Sequence, residues 1–284
     1  MINLSEPVLT SHELELVRSC LNKNMISTYG NFTQIFENKI SKYLGAKYAV
    51  ACINGTSALH LSLKILGVDE GDEVLVPSLT FVAPVNAAIY LKANPIFFDT
   101  DRFFNINILD VKNFIKEKTI FKNKFTINKL TKKKIKAIIP IHNYGNAVNI
   151  EEIYDLCKKR NIKILEDASE SLGTFYTKGK FKNKFTGTIG DIGCLSFNGN
   201  KIITCGQGGM IITNSKKYAD QAKHLSTQAK INKLNYYHDQ IGYNYRMPNI
   251  NAALGLAQFK NLKKNIIRKR KIYKVYSELI KKNK

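Results

Sequence analysis

The 284-residue chain lacks the usual marks of several protein classes. It has no CxxC pair, and its five cysteines (Cys20, Cys52, Cys157, Cys194, Cys205) form no Cys/His cluster with zinc spacing. An odd number of unclustered cysteines reads as reduced thiols in a cytosolic protein without a metal centre, with Cys52 and Cys194 in apolar, strand-like core runs. Met1–Thr10 lacks an apolar h-region, so no signal peptide is expected. No apolar run approaches the ~18–20 residues of a membrane span. No Pro- or Ser-rich linker interrupts the first 250 residues, and no internal repeat is present.

Acidic residues are also scarce in two places. Residues 116–136 hold nine lysines against Glu117, and residues 259–284 hold eleven Lys or Arg against Glu278. These stretches account for 18 of the net +22 charges. Both are rich in Lys, Asn and Ile and carry no aromatic platform for bases. They read as solvated faces, and no nucleic-acid or membrane partner is expected. Residues 114–136 are expected to form a surface helix and loop.

The remaining pattern is a repeated strand–helix unit. Strands are expected at 48–52, 73–76, 95–98, 137–141, 163–166, 192–197 and 210–213. Helices are expected at 56–66, 83–91 and 150–160, and from about 218. A loop at 236–249 precedes a final helix that starts near 252 and runs into the basic tail. Such alternation predicts a mostly parallel, doubly wound α/β sheet. Residues 1–251 are expected to form one large domain, with 252–284 the start of a second, incomplete one.

In such sheets ligands collect beyond the carboxyl ends of the strands. After the first strand comes Asn54-Gly55-Thr56-Ser57. It reads either as an anion site at a helix N-terminus or as a helix capped by Thr56 or Ser57. After residues 163–166 comes Asp167, a ligand carboxylate or another cap. After 192–197 comes Asn198-Gly199-Asn200-Lys201. This lysine precedes a glycine cluster and does not fit the P-loop pattern. It is a partly desolvated amine nucleophile or a surface-loop lysine. His142, alone at a strand end, reads as structural, with a place beside the site as the alternative. An anion site, an acidic group and a lysine at one sheet edge are the three attachments that pyridoxal 5′-phosphate requires.

The motifs NGTSAL (54–59), VPSLTFVA (76–83), IPIHNYG (139–145), EDASES (166–171), LSFNGNK (195–201) and GQGGMI (206–211) occur in this order. Ile26-Ser27-Thr28 precedes them and Gly242-Tyr243-Asn244-Tyr245-Arg246 follows. This set resembles the DegT/DnrJ/StrS family of sugar aminotransferases, most closely its LegC-type branch. The resemblance implies a pyridoxal-phosphate-dependent transferase fold of type I. It implies Lys201 as the Schiff-base lysine and proton carrier, and Asp167 as partner of the pyridine nitrogen. It further implies Phe81 stacked on the ring, and the phosphate held at Gly55, Thr56, Ser57 and Ser196. Glu170 stands near the ring hydroxyl where many relatives have Gln. Asn244 is implied to reach the phosphate of a neighbouring subunit in a cytoplasmic homodimer with shared sites. The implied reaction moves an amino group, by the family's habit from L-glutamate, to a nucleotide-linked keto-sugar. The LegC-like motifs suggest a UDP-4-keto-6-deoxy sugar of bacterial surface glycans. Sugar dehydratases of the family replace the lysine with histidine, so Lys201 favours transamination. Relatives extend by about another 100 residues, so a truncated chain with weak turnover, or a remnant with a basic binding tail, is the remaining expectation.

Overall fold

A computed structural model describes residues 5–232 and 235–282. Two helices lead in: α1 (Ser11–Asn22), opened by a Thr10/Glu13 capping box, and α2 (Phe32–Leu44), closed by left-handed Gly45. Alternating strands and helices follow: β1 (Tyr48–Cys52), α3 (Gly55–Ile65), β2 (Glu73–Pro77), α4 (Ala83–Tyr90), β3 (Asn94–Phe98) and α5 (Ile108–Glu117). A hairpin, β4 (Thr119–Lys122) and β5 (Phe125–Asn128), leads to β6 (Lys134–Ile138), α6 (Glu151–Lys159), β7 (Lys163–Asp167), β8 (Ile192–Ser196) and β9 (Gly209–Thr213). The chain continues through α7 (Lys216–Ser226), α8 (Asn249–Phe259) and α9 (Leu262–Lys282).

The sheet order is β1-β9-β8-β7-β6-β2-β3, with the β4–β5 hairpin against β6. Along that order β9 is antiparallel to both neighbours and the other pairings are parallel. The carboxyl ends of β1, β2, β6, β7 and β8 therefore share one edge with the amino end of β9.

Strand period two sorts the apolar side chains to the two faces. Val50 and Cys52 of β1, Val74 and Val76 of β2 and Cys194 of β8 enter one core with Leu59 and Leu61 of α3 and Ala87 of α4. Ala49 and Ala51 face the other way, with Phe36 and Ile40 of α2 and Ala252 of α8. A third cluster puts Leu75 and Ile138 against Val111 and Ile115 of α5 and Ile153 of α6. Helices on both faces make the sheet doubly wound, as the sequence pattern predicts.

Three expectations are corrected. Residues 114–136 are not a surface helix and loop. Only their start is helical; they then form β4 and β5, joined by Asn123 and Lys124 at φ 52° and 66°. Two consecutive left-handed residues give the turn whose twist suits a tight hairpin. The final helix is two helices, broken at residues 260–261. The cap of α3 is neither Thr56 nor Ser57 but Asn54, whose Oδ1 accepts the Ser57 N–H at 2.8 Å.

Helix α8 packs into the body: a Cβ on Gly255 would lie 2.3 Å from Cys205 Sγ and 3.0 Å from Phe36. Helix α9 buries Leu262, packs Ile266 against the core and is otherwise largely exposed. The five cysteines are free and buried, Cys52 and Cys194 among the strand core. Among the described residues no helix is long and apolar enough to cross a membrane.

Candidate active site

Loops at the shared carboxyl edge enclose a cavity of about 530 Å³. Its wall includes Gly55 and Thr56 after β1, Phe81 after β2, Asp167 at the end of β7 and Glu170 after it, and Ser196 and Lys201 from β8 and its following loop. Two expected residues fall outside that wall. Ser57, two residues after Gly55 in α3, is buried. Asn244 is exposed and lines a separate cleft of about 740 Å³ with Lys223 and Arg246. The smaller cavity is the candidate site, because it holds both the lysine and the carboxylate.

Asp167 is the last residue of β7. Its backbone is locked by bonds from its N–H to Pro140 O and from the His142 N–H to its own carbonyl. Its Oδ1 accepts the Ser169 N–H at 3.0 Å. Burial pushes the carboxyl above its ordinary pKa, and the Ser169 donors and the positive charge of Lys201 only partly offset this. Such a carboxylate favours a cationic or N–H donor partner from the cavity.

Lys201 lies in a turn where its N–H donates to Asn198 O. Its side chain is 16% exposed, whereas the described lysines of the basic stretches other than Lys136 are exposed, and Nζ donates to Glu170 Oε1 at 3.3 Å. Glu170 Oε2 accepts the Tyr144 N–H at 2.8 Å. Phe81 is no core aromatic, since it stands 77% exposed on the cavity wall.

At the start of α3 the Asn54 cap takes the Ser57 N–H, and the Asn54 carbonyl takes that of Ala58. Gly55 and Thr56, the first residues of α3, line the cavity, and a helix N-terminus favours an anion. Space beside Gly55 is tight: a Cβ there would lie 3.0 Å from Ser196 Cβ. On the same wall the buried Thr80 hydroxyl has no hydrogen-bond partner among the described residues. An orphaned buried hydroxyl carries a desolvation cost that a polar ligand would relieve.

Two residues that sequence reasoning passed over hold this edge together. Glu166 is fully buried on the opposite side of β7 from Asp167. It accepts the N–H groups of Gly187, Ile189 and Gly190 at 2.9, 2.7 and 2.6 Å and is 3.0 Å from His142 Nε2. Burial opposes its charge, but His142 and the backbone donors outweigh it and hold the carboxyl below its ordinary pKa. His142 Nδ1 accepts the Val148 N–H, so its proton sits on Nε2 and points at Glu166. His142 is thus structural and absent from the cavity wall. Asn143 donates through Nδ2 to Leu79 O and Phe104 O, and its N–H goes to Asn105 Oδ1. It ties together the loops after β2, β3 and β6. Its HNYG context was visible in the sequence, but its partners are 38 to 64 residues away.

The anion-favouring turn, the buried carboxylate, the shielded amine and the orphaned hydroxyl fit pyridoxal 5′-phosphate, which carries a phosphate, a ring nitrogen and an aldehyde. The fold and site thus define an enzyme of the aldehyde-cofactor transferase class.

Comparison with known proteins agrees. The profile of the DegT/DnrJ/EryC1/StrS aminotransferase family matches residues 7–284. The chain is 43% identical over 280 residues to a GDP-perosamine synthase of Escherichia coli O157:H7, covering 98% of this chain and 71% of that protein. It is 36% identical to a Bacillus subtilis protein provisionally named pyridoxal phosphate-dependent aminotransferase EpsN, covering 98% of this chain and 68% of that one. Among solved structures, a DegT DnrJ EryC1 StrS aminotransferase from Brucella abortus superposes with a TM-score of 0.86 at 28% identity, covering 96% of this chain and 69% of that one. The chain belongs to the DegT/DnrJ/EryC1/StrS aminotransferase family, whose enzymes depend on pyridoxal 5′-phosphate.

Proposed function

We propose that the chain uses pyridoxal 5′-phosphate to move an amino group from L-glutamate to the carbonyl carbon of a nucleotide-linked keto-sugar. The observation that carries the proposal is the cavity joining Lys201, Asp167 and the start of α3 at one sheet edge. When bound, the cofactor supplies an aldehyde carbon that captures the amino group and a ring that withdraws electrons as a proton leaves.

The protein's own groups then have distinct tasks. Lys201 Nζ would hold the cofactor through its aldehyde carbon and would carry the transferred proton as base and acid. Asp167, disfavoured as a buried anion, is stabilised by a ring N–H and in return keeps that nitrogen protonated. Gly55, Thr56 and Ser196 on the wall, with the buried Ser57 of α3, take the phosphate. Phe81 on the cavity wall would hold the ring by stacking, and Glu170 would serve the ring oxygen. Asn244 serves the phosphate of a partner subunit in a homodimer, a reading supported by its exposed place outside its own chain's cavity. Residues 1–251 act as the cofactor-binding domain and 252–284 as the start of a smaller one.

For the nucleotide we place GDP ahead of the UDP suggested by the LegC-like motifs, because the E. coli relative at 43% identity is a GDP-perosamine synthase. The test supplies the cofactor-loaded chain with L-glutamate and either a GDP- or a UDP-linked 4-keto-6-deoxy sugar. Release of 2-oxoglutarate and an amino-sugar with the GDP substrate is expected. A loaded enzyme that aminates neither sugar contradicts the proposal.

A further inference from the structure

We propose that His60 is a positioning residue that acts through Asn244: it locks residues 242–246 so that Asn244 is presented to the cofactor phosphate of the neighbouring subunit. The inference rests on the shared-site reading above and gives a role to a buried histidine that the reading leaves unused.

His60 lies on α3, four residues after Thr56, and is only 5% exposed. Three tyrosine rings stand edge-on around it, with centroids 4.9 Å (Tyr243), 5.7 Å (Tyr90) and 5.8 Å (Tyr245) away. Its Nδ1 and the Tyr245 hydroxyl share a hydrogen bond at 3.2 Å. Burial, helped by the charge of Lys64, holds the imidazole below its ordinary pKa, so this bond joins two neutral groups at pH 7. Tyr243 and Tyr245 are stacked on each other, 5.0 Å apart and 16° from parallel.

The segment that carries these tyrosines is extended and pinned by its backbone. The N–H groups of Tyr243 and Tyr245 donate to Leu225 O at 2.7 Å and Ser226 O at 3.1 Å, and the Tyr245 carbonyl accepts the Ile53 N–H at 2.7 Å. Bridges pair Asn244 with Thr227 and Arg246 with Cys52 at the end of β1. Side chains alternate along such a segment. Tyr243 and Tyr245 turn inward to His60 and are half-buried, whereas Asn244 and Arg246 are exposed and line the cleft with Lys223. A slip of one residue would turn Asn244 inward and put a tyrosine in the cleft. The His60 hydrogen bond and ring contacts oppose that slip, because they are specific to tyrosine side chains at 243 and 245. Helix α3 therefore has two tasks. Its first turn lines the chain's own cavity, and His60, one turn later, fixes the residue offered to the partner.

The test titrates the yellow covalent chromophore to measure cofactor affinity in wild type, His60→Leu, Tyr245→Phe, Asn244→Ala and the His60→Leu/Asn244→Ala double variant. Tyr245→Phe removes the hydroxyl and keeps the ring, so it breaks the bond without opening a cavity. Asn244→Ala is expected to bind about 10- to 100-fold more weakly, the range for a lost hydrogen bond to a charged group. His60→Leu and Tyr245→Phe are expected to bind about 3- to 10-fold more weakly, as for a lost neutral bond. On the Asn244→Ala background, His60→Leu should cost nothing further. The decisive arm mixes His60→Leu or Tyr245→Phe chains with an excess of Lys201→Ala chains. In mixed dimers the variant chain supplies the only lysine for the chromophore, while Asn244 comes from a partner with an intact His60–Tyr245 pair. Affinity should return to the wild-type value. Wild-type affinity in both single variants before mixing overturns the proposal. So does a multiplied loss in the double variant, or a defect that persists in the mixed dimers, since either puts the role of His60 in its own chain's cavity. An Asn244→Ala protein that binds cofactor as wild type does overturns the shared-site reading itself, and this proposal with it.

Discussion

Replacing Glu166 with Gln tests whether the site rests on a buried charge that never touches a ligand. Oε1 accepts the N–H groups of Ile189 and Gly190, and Oε2 accepts that of Gly187 and faces His142 Nε2. A glutamine keeps one accepting oxygen and turns an NH₂ toward the other pair of donors. His142 cannot adapt by moving its proton to Nδ1, because the Val148 N–H already points there. Two hydrogen bonds to a charged acceptor are lost, each contributing roughly 1.5–3 kcal/mol, so the variant should lose about 3–6 kcal/mol. The assay is urea unfolding at pH 7, read as a lower midpoint at unchanged slope. The sign with pH follows from the lowered carboxyl of Glu166. Its stabilisation is fully present above the ordinary value of 4.5 and is lost as pH falls through the lower folded value. The gap between wild type and variant should therefore be widest at neutral pH and shrink in acid. A gap below about 1 kcal/mol at pH 7, less than one ordinary charged hydrogen bond, would refute the reasoning, as would a gap that does not change with pH.

Asp167→Asn removes a carboxyl that burial makes costly when charged, so without cofactor the variant should melt higher than wild type at pH 7. Its amino transfer should fall on the order of 10²-fold, because the ring nitrogen loses its anionic partner; lower stability together with full activity would contradict this. Gly55→Val should crowd Ser196 at a cost of about 1–3 kcal/mol and weaken cofactor binding by about 10- to 100-fold, measured by equilibrium titration of the chromophore. Mixing a Lys201→Ala protein with an Asn244→Ala protein should restore about a quarter of wild-type activity if sites are shared across a two-fold interface, since half the dimers are mixed and each has one intact site; no recovery on mixing would argue for self-contained sites.

Much of the fold could be read from the sequence, because most strands of the doubly wound core are apolar runs, and β1, β2, β3 and β6 each lead to a helix or hairpin. Residues 48–52 match β1 at both ends, and the expected 163–166 falls one residue short of β7, which ends on Asp167. The β4–β5 hairpin was hidden by its lysines: Lys122 ends β4 and Lys124 sits in the turn, and the strands alternate only weakly, with Thr126 and Asn128 as the inward residues. Helices α1 and α2 were not legible because they precede the first apolar strand, and α1 buries only Glu13 and Cys20. At the site, Lys201, Asp167 and the Gly55 turn were legible because each lies at or within a few residues of a strand's carboxyl end. Glu166 and Asn143 were not, since their roles depend on bonds across 21 to 64 residues that no local pattern reveals. Asn54 as the cap was within reach, because Asn ranks with Ser and Asp at that position.

The central claim is that Lys201 bonds covalently to the cofactor. Incubating the purified chain with pyridoxal 5′-phosphate, reducing with borohydride and sequencing the labelled peptide by mass spectrometry tests it most directly. The account predicts one phosphopyridoxyl group per chain, carried on Lys201 and lost in Lys201→Ala. Label scattered over the lysines of residues 116–136 and 259–284, with Lys201 unmodified, would contradict it.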